Sequence, residues 1–159
     1  MSTLLQHQAF KGVEDICHTH AERLQWAMSS LTDLMPLTAE RSSKLSPIEL
    51  AIFDQFIVRF SKLQDAMGAK LLPMILEITH EQGDLSTFID KLNRLEKIGA
   101  IPSTQQWLLL REMRNQFAHD YPEDPEIQAS LLNKAFSQAT ILLDVFAHAT
   151  AFAAKYIKE

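Results

Sequence analysis

Cysteine is almost missing from this chain. Cys17 stands alone among 159 residues, so an internal disulfide framework is excluded and a reducing compartment is expected. Glycine is scarce as well. Gly12, Gly68, Gly83 and Gly99 are scattered, so no Gly-rich phosphate loop can be drawn from them, and a sheet protein built on Gly-rich turns is excluded. No apolar run approaches the length of a membrane span. The opening Met-Ser-Thr-Leu-Leu-Gln-His lacks the basic and apolar segments of a secretory leader, and a cytoplasmic address is expected. An excess of positive charge is lacking too: 20 acidic residues outnumber 15 basic ones, for a net charge of −5. That argues against a general nucleic-acid coat, which needs clustered Lys and Arg, but leaves room for a local site.

What is present is an ordinary globular composition, 47% hydrophobic and 22% charged, in a chain of a length that suits one domain over residues 1–159. Apolar residues recur with helical spacing. In a first segment, from about Thr3 to Leu34, the residues Val13, Cys17, His20, Leu24, Ala27, Leu31 and Leu34 step by four and three, and Pro36 ends it. Thr38 to Lys44 is polar, without periodicity, and reads as a loop. Ser46-Pro47-Ile48-Glu49 has the form of a capping box with proline at the first helical position. Phe53, Phe56, Ile57, Phe60 and Leu63 or Gln64 then line one face of a helix that extends toward His80, with Pro73 kinking or interrupting it.

A third segment starts near Ser86, carries Ile89, Leu92, Leu95 and Ile98, and ends at Gly99, a good residue for the position just past a helix. A fourth, capped by Ser103 or Thr104, runs through Trp107, Leu110 and Phe117 to about Asp120, where Pro122 should stop it. A fifth opens at Asp124-Pro125 and runs to about Lys158, with Ile127, Leu131, Ala135, Leu142, Phe146 and Ala149 or Thr150 inward. No segment reads as a strand. The expected fold is all-α, an antiparallel bundle of about five helices.

Chemistry concentrates in one place. Leu110 to Pro122 crowds Arg111, Arg114, Asn115, His119, Asp120 and Tyr121 around an apolar anchor, Phe117-Ala118, toward a helix end where side chains can converge on a ligand. The run Arg114-Asn115-Gln116-Phe117-Ala118-His119-Asp120-Tyr121 resembles the Arg-x4-His-x-Tyr signature of HEPN-domain proteins, in particular the HepT-like toxins. Arg59-Phe60-Ser61-Lys62-Leu63-Gln64-Asp65 is similar to the second helix of HepT-like members. An Arg followed at this range by His would arise ~0.7 times by chance here, but the added polar residue and Tyr lower that to about 0.001.

The resemblance implies a HEPN-like helical bundle acting as a homodimeric, metal-independent endoribonuclease that needs no cofactor. Two copies of the motif would form a composite site at the dimer cleft. It also implies a toxin paired with a minimal nucleotidyltransferase antitoxin that can adenylylate the motif tyrosine, here Tyr121. The residue types suit RNA cleavage in their own right. His119 can move a proton near neutral pH. Arg114 stays charged and can hold phosphorane oxygens with its fork of donors. Asn115 can orient the phosphate or His119. On an unbroken helix Arg114 and His119 stand about 140° apart, so either the helix changes before His119 or the pair meets its copy across a two-fold axis.

Blander accounts exist for each residue. Arg114 can bridge Glu112, Asp120 or a neighbouring helix. His119 can be a helix C-terminal residue stabilised by the dipole, and Tyr121 a half-buried aromatic. A HEPN module that binds a nucleotidyltransferase or its nucleotide without catalysis is the alternative function, and a helical scaffold without an active site a further one. Asp15-x-x-His18 and Glu77-x-x-His80 have a spacing found in di-iron bundles, but the full ligand set of such a site is missing and solvated faces explain both. Cys17 and His20 share a face, yet two ligands make no zinc site. The acidic run Asp120, Glu123, Asp124 and Glu126 beside the motif would repel RNA or attract a basic partner.

Overall fold

The computed structural model describes residues 3–118 and 124–157. These form an all-α helical bundle with no strand among the described residues. Helix α1 is Thr3–Leu31, closed by a 3-10 turn at Thr32–Leu34. Its buried side chains include Cys17, Leu24, Ala27 and Leu31, as the spacing predicts, and also His7, Phe10 and Ala21.

The polar stretch expected to be a loop contains a short helix instead, α2, Ala39–Ser42. Thr38 caps it by accepting from the Arg41 N–H, a local bond that needs no apolar periodicity. Contacts with α7 (Pro125–Ala154) hold it in place. Asn133 accepts from the Leu37 N–H at 2.6 Å and donates to the Leu37 carbonyl at 2.9 Å, and the Ser42 hydroxyl donates to Gln128 at 2.5 Å.

Helix α3, Pro47–Ala66, opens with the expected capping box, Ser46 and Glu49 each satisfying the other's backbone N–H. It passes into a π-turn at Met67–Leu71 and then into α4, Leu72–Ile78. Pro73 accounts for this. It lacks an N–H, and its ring would crowd the carbonyl of Ala69 in a regular helix. The wider turn, in which the Leu72 N–H reaches back to Met67, absorbs the conflict without breaking the rod. Helix α4 ends before His80, which takes a left-handed conformation (φ 56°).

Helix α5, Phe88–Ile98, ends on Gly99 at φ 89°, the left-handed position that glycine adopts without strain. Helix α6, Thr104–Phe117, is capped by Ser103. It ends at Phe117 with Ala118 as its last cap, earlier than the expected stop near Asp120. Bonds from Ala118 back to Asn115 and Gln116 tighten the final turn.

Neighbouring helices run antiparallel. His20 on α1 meets Arg59 on α3, while Val13 and Ile16 share a groove with Ala69 and Lys70 further along. Phe60 on α3 meets Phe117 on α6, and Gly68 meets Trp107. Phe88 on α5 meets Arg111 on α6, and Glu96 meets Thr104. His18 on α1 meets Phe146 on α7. The buried residues form one apolar cluster, whose largest members include Trp107, Phe10, Phe56 and Phe60.

Two expected inward residues point out. Ile89 is 42% exposed because Phe88, one step round the helix, takes the inward place. Ile127 is 52% exposed because α7 turns Ala129, Leu132, Ala135 and Ala139 toward the core, small side chains that allow close helix approach.

Candidate functional site

Arg114 lies in the last turn of α6. The Phe117 ring, edge-on against Phe60 at 5.5 Å, anchors that turn on α3 and brings Arg114 opposite Asp65. Ala118, expected to share the anchoring, is exposed. Arg114 Nε donates to Asp65 Oδ1 at 2.8 Å and Nη2 donates to Oδ2 at 2.9 Å. This bidentate fork holds the guanidinium plane at a fixed angle. The hydrogen bonds to Asp65 push the Arg114 pKa above its ordinary value, so the group stays charged. Two of its five N–H donors are used, and three remain for a ligand.

Of the three bridges open to Arg114 from sequence, the structure contains the one to a neighbouring helix. Asp65, 49 positions away, was not singled out as its partner, although it closes the α3 stretch that carried the HepT-like resemblance. Asn115 is exposed, one helical step round from Arg114, and no hydrogen bond joins its side chain to the Arg114–Asp65 pair. His119 and Tyr121 lie outside the described residues, as does Asp120.

Beside Asp65 is a groove of about 300 Å³ lined by Gln64, Asp65, Gly68, Ala69, Phe88 and Arg111. The Arg111 guanidinium lies over the Phe88 ring, 5.4 Å from its centroid. Gly68 sits in the π-turn with Trp107 close behind it, where an added Cβ would come within 3.2 Å of the indole. The Gln64 residue is 4% exposed yet lines the groove.

The other clusters singled out from sequence have structural accounts. Cys17 is fully buried, and desolvation first and Glu14 second push its thiol up to about 11, far from a reactive thiolate. His20 faces α3, where its Nδ1 stands 2.9 Å from Arg59 Nη1. His18 lies edge-on to Phe146 at 5.0 Å. Glu77 and His80 straddle a helix end rather than sharing a helical face. Among the described residues no three His, Cys, Asp or Glu side chains are grouped to hold a metal ion. No helix among them is long and apolar enough to cross a membrane.

The chain matches no protein-family model, no curated protein and no solved structure.

Proposed function

We propose that this chain is a HEPN-type endoribonuclease of the HepT class, a cytoplasmic toxin acting as a homodimer and restrained by a minimal nucleotidyltransferase. The observation that carries this reading is the Arg114–Asp65 fork, which fixes a charged guanidinium with spare donors in the last described turn before His119. In the proposed reaction the RNA 2′-oxygen attacks the adjacent phosphorus and the bond to the 5′-oxygen breaks. The 2′-hydroxyl loses its proton to a base, and the leaving oxygen gains one from an acid. His119 performs proton transfer, Arg114 holds the charge that builds on the phosphoryl oxygens, and Asn115 supports them. This scheme assigns no step to a metal or cofactor. Leu108 and Leu109, 37% and 50% exposed on α6, offer apolar surface near the motif for a second copy.

The test is expression of wild-type and His119→Ala chains in a bacterial host. The wild type is expected to arrest growth and fragment RNA, and the variant to do neither. Equal RNA integrity in both would remove the catalytic assignment. Tyr121 is the proposed control point. Co-expression with a nucleotidyltransferase partner should add an adenylyl mass to it and silence cleavage, and Tyr121→Phe should escape silencing.

One observation favours the alternative, a non-catalytic HEPN module that binds the nucleotidyltransferase. The Arg114 charge is already met by a carboxylate, as in a purely structural ion pair. Purified protein that binds the partner tightly but leaves RNA intact would decide for it.

A further inference from the structure

Among the described residues the paired cations are Lys11 with Glu14, Lys44 with Glu40, Arg94 with Glu81 and Arg114 with Asp65. Among the cations with no such partner, four lie near one another, Arg23, Arg59, Lys62 and Lys70, in a chain where acids outnumber bases by 20 to 15. They gather on one face. Lys62, Lys70 and His20 line a groove of about 360 Å³ between α1 and the α3 rod, floored by Val13, Ile16, Ala66 and Ala69. Arg59 joins it through His20, and Arg23 is close enough to Arg59 to depress its pKa after desolvation has done so.

The local bonding fixes the tautomer of one side chain that lines this groove, His20. A guanidinium has no acceptor, so the contact between Arg59 Nη1 and His20 Nδ1 makes the imidazole the acceptor and places its proton on Nε2. Burial and then Arg59, Lys62 and Arg23 keep His20 below its ordinary pKa, neutral with one N–H to give. Arg59 Nε is buried with no partner. The carboxylate that lines the groove, Asp65, is committed to Arg114. Like charges this close repel one another, and among the described residues no ion pair to Arg23, Arg59, Lys62 or Lys70 offsets them. A ligand bearing several negative charges would.

We propose that the groove between α1 and α3 carries the phosphate backbone of a single-stranded RNA. Lys62 and Lys70 are eight positions apart, roughly 12 Å along a helix, room for more than one phosphate. The apolar floor suits sugar and base faces rather than a run of free ions. Asp65 and Ala69 line both this groove and the one bearing Phe88 and Arg111, so a strand leaving the cations crosses the Arg114–Asp65 ridge. There Arg114 neutralises the carboxylate that would otherwise repel it. Lining a concavity, these cations suit a strand better than a flat lipid surface. The identity of the polyanion rests on the ribonuclease reading; the groove's affinity for it does not require cleavage.

The experiment measures binding of a short fluorescent single-stranded oligoribonucleotide to the full-length His119→Ala chain over a range of salt. Lys62→Gln combined with Lys70→Gln is expected to weaken binding about tenfold and to reduce the salt slope by about 1.4, at ~0.7 for each lost phosphate contact. Lys44→Gln, at a cation that has its own carboxylate, serves as control and should change neither. Unaltered affinity and slope in the double variant overturn the proposal. So does binding of the parent chain to phosphatidylserine vesicles in preference to RNA, with the same two lysines responsible. The groove assignment stands while the ribonuclease reading falls if the double variant loses affinity but wild-type protein leaves RNA intact. The reverse holds if RNA is cleaved and the double variant binds it like the parent.

Discussion

Two arginines, Arg59 on the α3 rod and Arg114 reaching that rod from α6, are treated in opposite ways. Arg114 reaches Asp65 with two parallel hydrogen bonds, its plane fixed and its charge met. Arg59 reaches only a neutral imidazole, keeps a buried Nε without a partner and feels Arg23 nearby. The first arrangement positions a guanidinium. The second stores positive charge at the cost of local repulsion. A fold optimised only for stability would have no use for the second, which is why that region reads as a surface waiting for an anion.

The comparison breaks most sharply at Arg114. Arg114→Ala should lower RNA cleavage by about a thousandfold, the usual order for losing a preorganised charge stabiliser. Its effect on stability should stay within about 1 kcal/mol, because the ion pair is partly solvated, the two side chains being 30% and 50% exposed. Single-turnover cleavage and urea unfolding on the same preparations check both. A large stability loss without loss of cleavage would make Arg114 purely structural.

Asp65→Asn sharpens the same half. The amide keeps the shape but surrenders the second charge-assisted hydrogen bond, so Arg114 is less firmly oriented. Cleavage should fall about tenfold, in kcat rather than KM, because orientation and not attraction is lost. RNA affinity should hold or rise, since a negative charge has left the ridge.

How much of this was legible in sequence depended on whether the cause was local. The α1 stripe from Cys17 to Leu31, the Ser46–Glu49 capping box and the Gly99 cap all follow from neighbours within a turn, and each is present. The inward face of α7 was less legible. Ala135, Leu142, Phe146 and Ala149 are buried as expected, but Ala129, Ala139 and Ala153, which carry little hydrophobic signal, complete the packing face unforeseen while Ile127 points out. The π-turn was foreshadowed by Pro73 but not placed, because strain at a proline is relieved upstream of it. In the candidate site Arg114 and Asn115 are singled out by a polar, motif-like run of neighbouring residues. Asp65, 49 positions away, and the Arg59–His20 bond, 39 positions apart, depend on helix packing that no local pattern encodes.

At the other arginine the expected effects are smaller. Arg59→Met should be neutral or slightly stabilising, within about 1 kcal/mol, since it removes an unsatisfied buried N–H and a repelled charge while keeping the packed stem. It should still weaken RNA binding. Destabilisation well beyond that range, measured by urea unfolding, would mean that Arg59 supports the fold rather than the groove.

The least effect, and the most diagnostic of the groove, concerns pH at His20. Its folded-state pKa lies below the unfolded 6.5, through burial first and then Arg59, Lys62 and Arg23. Between those two values the unfolded chain binds more protons than the folded one, so stability rises with pH there. The contribution is complete above 6.5 and declines as pH falls through 6.5 toward the folded value, below which no more is lost. His20→Gln removes the titration, and its amide oxygen can still accept from Arg59. Urea midpoints at pH 7.5 and 5.5 should therefore differ less in the variant than in the wild type, the other five histidines being common to both. A bound polyanion would offset Arg59, Lys62 and Arg23 and lift the His20 pKa. Saturating an uncleavable oligoribonucleotide should then shrink the wild-type difference toward that of His20→Gln. If the pH difference is the same with and without the strand, the anion does not lie beside His20.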